Sequence, residues 1–348
     1  MSRRDEFERA ARERVLVFDG AFGTEIQRRR LTAEDFAGDL DLARDQAGNN
    51  DILALSRPDV IGAITRDYLN AGADMVSTNT FSANRISQTD YAAEDLVPQI
   101  NRASAEIARA AADEFAARDG RPRFVAGAIG PTNKTLSLSP RVEDPGFREI
   151  DFDYLSDVYR EQAAALLDGG ADFVLVETIF DTLNAKSAIH AVRQLARERD
   201  EDIPIILSLT LTDLSGRNLS GHTVEAFWHS IRHADPLAVG LNCSFGAEQL
   251  RPHVQLLSRI ADTLLLTYPN AGLPNELGEY DEQPQTTAAA LREWAEAGHT
   301  NIVGGCCGST PAHIAAIARA VDTIAPRRPA RGDHDMRLAG LEPFTVPG

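Results

Sequence analysis

Three cysteines are the residues on which chemistry in this chain can turn. Cys306 and Cys307 are adjacent, inside the glycine-rich run NIVGGCCGSTP at 301–311, and Cys243 sits in NCSFG at 242–246. Adjacent cysteines do not readily bridge each other, so the pair is buried filler, an oxidation partner for another chain, or part of a ligand set. A lone free cysteine is most often a small buried hydrophobe. A pair in a glycine nest, joined by a third thiol, favours a metal instead. Three thiolates suit Zn2+, which takes sulfur at about 2.3 Å in a tetrahedron, and three protein ligands leave a fourth position open for chemistry. Gly304, Gly305 and Gly308 let two successive side chains turn toward one point without Cβ clashes.

Two carboxylates fall at comparable places. Asp19 follows the apolar run VLVF at 15–18, where it either caps the next turn or faces a ligand. Glu177 follows FVLV at 173–176; a carboxylate at the end of a buried strand needs a partner, and a substrate ammonium is a natural one. Gly20, Ala21 and Phe22, with Gly23, form a turn ahead of a helix and resemble an anion-binding turn suited to a carboxylate. The eight histidines (190, 222, 229, 233, 253, 299, 313 and 334) lie mostly on helical stretches and read as solvated or capping groups. Arg28, Arg29 and Arg30 read as a solvated helix end.

The elements that must position these residues repeat along the chain. Short apolar runs occur at 15–18, 75–78, 124–128, 173–176, 203–209, 238–241, 263–267 and 301–303. Between them lie helical stretches such as 101–118, 154–168, 185–199 and 311–324, with apolar residues three and four apart. AGAD at 71–74 and GGAD at 169–172 are helix stops followed by tight turns into strands. Continuously apolar strands alternating with helices indicate a parallel sheet buried on both faces, and eight such units favour a closed (β/α)8 barrel of the α/β class over an open doubly wound sheet. In such a barrel the strand C-termini share one face, and all three cysteines, Asp19 and Glu177 fall there. Two segments lie outside the repeat: 31–58, read as a long loop over the barrel mouth, and 327–348, read as a tail. The barrel is expected to span 1–326.

Composition limits the partners. With 43% hydrophobic and 25% charged residues, a sizeable core is available. The net charge of -17, from 52 acidic against 35 basic residues, repels phosphate backbones and anionic lipid, which argues against nucleic acid and membrane. No signal-type apolar region follows the N-terminus, and no run approaches the ~20 apolar residues of a membrane helix, so a cytoplasmic location is expected.

The motifs DGAFGTEIQ (19–27), NTF (79–81), GAIGPT (127–132), ETIFDTLNAKSA (177–188), GLNCSFG (240–246), YPNAGLPN (268–275) and GGCCGSTP (304–311) resemble, in order, the homocysteine S-methyltransferase family. They are most similar to the N-terminal homocysteine-binding module of cobalamin-dependent methionine synthase. The resemblance implies a (β/α)8 barrel, zinc held by Cys243, Cys306 and Cys307, and homocysteine as methyl acceptor, giving methionine. It also implies that Asp19 and Glu177 face the amino group and that backbone near Gly20, Ala21 and Phe22 meets the carboxylate. In the full-length synthase a folate barrel and cobalamin modules follow, and 327–348 is too short to hold them, although 336–344 resembles the linker into the folate barrel. Either the sequence is a piece of a longer synthase or the enzyme is split between polypeptides; the expectation is the split, with methylcobalamin brought by another domain or a partner polypeptide carrying the folate- and cobalamin-binding modules. Relatives use betaine or S-methylmethionine as donor; only 6% of residues are aromatic, which disfavours the cage a quaternary ammonium wants. A non-catalytic zinc-binding scaffold is the alternative from another class.

Overall fold

Apolar side chains alternate inward and outward along eight parallel strands, and this alternation builds two concentric shells. The strands are β1 (Leu16–Val17), β2 (Met75–Ser77), β3 (Phe124–Ile129), β4 (Phe173–Ile179), β5 (Ile205–Leu209), β6 (Ala238–Asn242), β7 (Leu264–Tyr268) and β8 (Ile302–Val303). They are hydrogen-bonded in the order β1-β8-β7-β6-β5-β4-β3-β2. A parallel bridge between Phe18 and Met75, with the Asp19 amide donating to the Met75 carbonyl at 3.1 Å, joins β1 to β2 and completes a (β/α)8 barrel. The computed structural model describes residues 2–332 and 335–347, so His334 and Gly348 of the expected tail lie outside the described residues.

Leu16, Phe18, Phe173, Leu175, Leu266 and Tyr268 belong to the inner shell. Their neighbours of opposite parity, among them Val17, Val174, Val176 and Leu265, pack outward against the helices. The floor is closed by the helix Arg3–Glu13, whose start is fixed by a capping box between Ser2 and Asp5. Its Phe7 is fully buried, edge-on to Phe124 at 4.9 Å and to Phe173 at 5.1 Å. Arg3 ties the helix to Asp172, Nε to Oδ1 at 2.6 Å. Phe7→Ala is therefore expected to cost about 3–5 kcal/mol, because it removes an aromatic ring from the barrel floor and leaves a cavity; a urea unfolding midpoint measures this directly.

The segment 31–58 is more ordered than a loop. It carries the helices Ala33–Ala37 and Leu53–Ser56 and a 3₁₀ turn at Asn50–Ile52. The tail is likewise structured. Arg327 is buried and donates to the carbonyls of Thr263 (2.8 Å), Ser258 (2.9 Å) and Ala261, so it belongs to the barrel wall. Beyond it, β9 (Met336–Ala339) and β10 (Pro343–Val346) form an antiparallel hairpin that packs on the helix Val224–Ile231, with the Thr223 amide donating to the Leu341 carbonyl at 3.1 Å. Among the described residues no helix is long and apolar enough to cross a membrane.

Candidate metal and substrate site

The inward parity of the strands continues past the apolar layers into a polar one. On β4 the inward series 173, 175 ends in Glu177, and the inward series of β6, β5 and β7 end in Asn242, Ser208 and Tyr268. Fully buried Asn242 donates from Nδ2 to Thr178 Oγ1 at 2.9 Å and accepts from Ser208 Oγ at 2.6 Å. The same amide reaches the Cys306 sulfur at 3.9 Å. Tyr268 donates to Glu177 Oε2 at 3.1 Å, and its ring sits edge-on to Phe18 at 5.1 Å.

Just beyond this layer the backbone is strained. Cys243 and Ser244 adopt left-handed conformations, with φ of 60° and 62°, as does Thr178 with φ of 56°. Such conformations cost non-glycine residues about 1–3 kcal/mol each and persist only where the surroundings impose them. Here the Phe245 amide donates to the Cys243 carbonyl at 2.7 Å, Thr210 Oγ1 donates to the Asn242 carbonyl at 2.6 Å, and the Ser244 hydroxyl donates to the Leu211 carbonyl. Thr178 lies at a register shift between β4 and β5, a bulge that re-aims the end of the strand next to Glu177. On β8 the glycines serve close approach. A Cβ at Gly305 would lie 2.1 Å from Ser309 Oγ, and one at Gly308, whose φ is +80°, would lie 2.3 Å from Tyr280 Cβ.

These turns bring the three sulfurs within 4.8 Å of one another, and Cys243 Sγ stands 3.8 Å from Cys307 Sγ. A tetrahedral ion with sulfur at about 2.3 Å has an edge of about 3.8 Å, so the donor set fits Zn2+ in type and spacing. Among the described residues this is the one group of three potential metal-binding side chains. Thiol hydrogen bonds from Cys243 and Cys306 concentrate negative charge on Cys307 and pull its pKa down, while the hydrogen bonds with Cys243 and Cys307, then burial, push Cys306 up. The Tyr280 hydroxyl, on the same cavity wall, lowers Cys307 further.

Both sequence-identified carboxylates face the same space. Asp19 is pushed up to about 8, first by burial and also by the charge of Glu177, although it accepts from the Ser77 amide at 2.7 Å and the Ser77 hydroxyl at 3.0 Å. Glu177 is pushed up to about 7 by burial, against the hydrogen bond from Tyr268. Asp19, Gly20, Ala21, Phe22, Glu177 and the three cysteines all line one cavity of about 1610 Å³. Gly20 is in tight contact there, since a Cβ would meet the Tyr68 ring at 2.8 Å, and Tyr68 in turn donates to the Ala21 carbonyl at 3.0 Å.

Other residues behave differently from expectation or carry no sequence signal. His313 caps its helix with Thr310, but the His229 side chain is only 3% exposed and is buried rather than solvated. Arg28 and Arg29 pair with Glu25 at 2.9 and 3.0 Å. Asn242 and Tyr268 were open to discovery by extending the inward parity of β6 and β7 one step. Tyr280 was not, because it reaches Cys307 from a loop with no periodicity.

The chain can now be compared with known proteins. The family model described as homocysteine S-methyltransferase matches residues 16–321. The homocysteine methyltransferase MmuM from Escherichia coli, in its metallated form, superposes with a TM-score of 0.68 at 25% identity, covering 88% of this chain and 96% of that one. Its oxidized form gives a TM-score of 0.68 at 24% identity over 88% and 95%. The strand-end thiols, the carboxylates beside them and the barrel that gathers both thus occur within a match spanning nearly the whole barrel, and the chain belongs to the homocysteine S-methyltransferase family.

Proposed function

We propose that the protein transfers a methyl group to the sulfur of homocysteine, giving methionine, with Zn2+ held by Cys243, Cys306 and Cys307. The observation that carries this reading is the convergence of three thiols within 4.8 Å in a cavity whose wall also presents two buried carboxylates. The E. coli MmuM structure described as metallated supports a metal in this fold. A thiol of pKa near 8.5 is mostly protonated at neutral pH, and Zn2+ held by Cys243, Cys306 and Cys307 would supply the Lewis acidity that favours its nucleophilic thiolate form.

The chain's own residues do the rest. Asp19 and Glu177 accept hydrogen bonds from the substrate ammonium, whose charge lets both ionise where burial alone disfavours it. Tyr268 and Ser77 hold those carboxylates in place. The helix Phe22–Arg28 has Ala21 at its N-cap and so no side-chain cap; its first-turn amides, with the backbone of Gly20, Ala21 and Phe22, receive the substrate carboxylate. The sulfur lone pair forms the new carbon–sulfur bond while the bond from methyl to donor breaks, its electron pair staying with the donor.

The donor we assign is methylcobalamin, carried by another domain or by a partner polypeptide that also binds folate. A cavity of about 1610 Å³ exceeds the roughly 300–1,000 Å³ of ordinary small-molecule sites and leaves room above homocysteine for a large donor. Trp228 and Trp294 are 1% exposed in the helical layer, where they build no cage for a quaternary ammonium. A small donor such as S-methylmethionine or betaine is the second reading, favoured by the match over 96% of E. coli MmuM, a single barrel named for homocysteine methylation. Free thiols suit a reducing cytoplasm.

The test offers zinc-loaded protein homocysteine together with methylcobalamin, betaine or S-methylmethionine in parallel. Turnover with methylcobalamin is expected. Turnover only with a small donor overturns the donor assignment, and none with any donor leaves the barrel a zinc-binding scaffold.

A further inference from the structure

At the β2 side of the mouth, across from Cys243, lies a carboxylate that this chemistry does not use. Asp51 ends the ordered part of 31–58 that borders the cavity, and it is 6% exposed. Its Oδ1 accepts from the Ser82 amide at 3.0 Å, in the loop after β2. Among the described residues the only donors that reach the carboxylate are backbone amides, that of Ser82 and its own, and no basic side chain forms an ion pair with it. A buried carboxylate without a cation is costly, and burial pushes Asp51 up to about 7.

The wall that holds Asp51 is rigid. Gln46, Asn49 and Gln88 are each at most 1% exposed and bind one another: Asn49 Nδ2 donates to Gln46 Oε1 at 3.0 Å and to Gln88 Oε1 at 2.8 Å, and Gln88 Nε2 returns a bond to Asn49 Oδ1 at 3.1 Å. Gln88 also donates to the Ser82 carbonyl at 3.1 Å, and Asn79 Nδ2 donates to the Asn50 carbonyl at 2.7 Å. A buried amide network of this kind specifies one arrangement. It fixes a carboxylate at the cavity wall beside Asn79 and the exposed ring of Phe81.

Position separates this group from Cys243. In the barrel order β2 stands four strands from β6, so Asp51 and Cys243 lie on opposite sides of the mouth. The homocysteine ammonium already has Asp19 and Glu177, and although Asp19 is tied to Ser77 of β2, the charge that acts on it is that of Glu177 and not that of Asp51. We propose that Asp51 anchors a second subsite of the same cavity, one that binds an N–H-bearing group, amide or ammonium, of the methyl donor. This rests on the methyl-transfer reading above. The amide-rich rim of a corrin and the ammonium of S-methylmethionine both supply the chemistry, and the test separates them.

Cyanocobalamin, which keeps the amide rim but carries no methyl group, and S-methylmethionine are each titrated calorimetrically into the zinc-free chain, as wild type, Asp51→Asn and Asp51→Ala. The inference expects wild type to bind one of them and Asp51→Ala to bind it at least tenfold more weakly, with homocysteine affinity of the zinc-loaded variants within twofold of wild type. The ligand that binds identifies the source of the N–H group. Asn at 51 keeps an acceptor and the local packing, so it should lose less, which also controls for misfolding in the alanine variant. Equal binding by wild type and Asp51→Ala, loss of homocysteine affinity instead, or no binding of either probe by wild type overturns the subsite. Methyl transfer to homocysteine is scored separately, so turnover with an unmoved Asp51→Ala titration rejects the subsite alone, and absent turnover rejects the parent reading alone.

Discussion

Cys306→Ser is expected to take zinc from about one per chain to near zero and to lower methyl transfer by well over a hundredfold, and Cys243→Ser and Cys307→Ser should do the same. The reason is geometric as well as chemical. The three sulfurs stand within 4.8 Å of one another, and a serine oxygen is a poorer and shorter-reaching ligand for a borderline-soft ion. Groups that only orient a ligand typically matter by roughly 10–100-fold, so Asn242→Ala, which removes the amide 3.9 Å from the Cys306 sulfur, should fall in that smaller range while keeping most of its zinc. Metal analysis beside a rate measurement decides the matter. Full activity in a zinc-free serine variant would refute the mechanism, whereas loss of zinc from Asn242→Ala equal to that in the cysteine variants would mean that the amide holds the loop rather than tuning the sulfur. Chelation of wild type should reproduce the serine phenotype and be reversed by added zinc.

The second large effect concerns the two carboxylates. Asp19→Asn and Glu177→Gln should each raise the homocysteine KM roughly 10–100-fold, the equivalent of losing one charge-assisted hydrogen bond of about 1.5–3 kcal/mol, while leaving zinc in place. Homocysteine affinity unchanged in both variants would remove these residues from the site. A pH dependence follows from their positions near 8 and 7, against about 4 for carboxylates in an unfolded chain. The folded state therefore holds these protons more tightly than the unfolded one. That contribution to stability is fully present below about pH 4 and is lost as pH rises through 7 to 8. Thermal melts of the substrate-free protein should show Asp19→Asn gaining on wild type as pH increases across this window. Homocysteine binding, which requires the ionised carboxylates, should strengthen in wild type between pH 6 and 8 and do so with a shallower slope in Asp19→Asn. Parallel slopes would show that Asp19 ionisation is not linked to binding.

How far this site could be read in advance differs residue by residue. Glu177 was legible because it ends the apolar run 173–176, and a charge at the end of a buried strand stands out without help from the rest of the chain. The eight strands were legible as short continuously apolar runs alternating with helical stretches, and the gathering of the cysteines at one barrel face followed from that order. The rest depended on partners distant in sequence. Phe7 lies in a charged segment outside the repeating strand and helix pattern, and it forms the barrel floor because Phe124 and Phe173 meet its ring edge-on. Segment 31–58 had no strong period, yet Gln46 and Asn49 find Gln88, about forty residues on, and fold it into a wall. The tail read as a linker because nothing local showed the helix Val224–Ile231 on which its hairpin rests.

Local patterning, a property of each segment's own side chains, thus determined the (β/α)8 architecture, the ligand type and the end of the barrel where the chemistry lies. The tertiary structure alone decided the distances. The left-handed backbone at Thr178, Cys243 and Ser244 is unfavourable in isolation and is held by bonds to Asn242, Leu211 and Thr210. The high pKa values of Asp19, Glu177 and Asp51 arise from burial that only the assembled barrel provides.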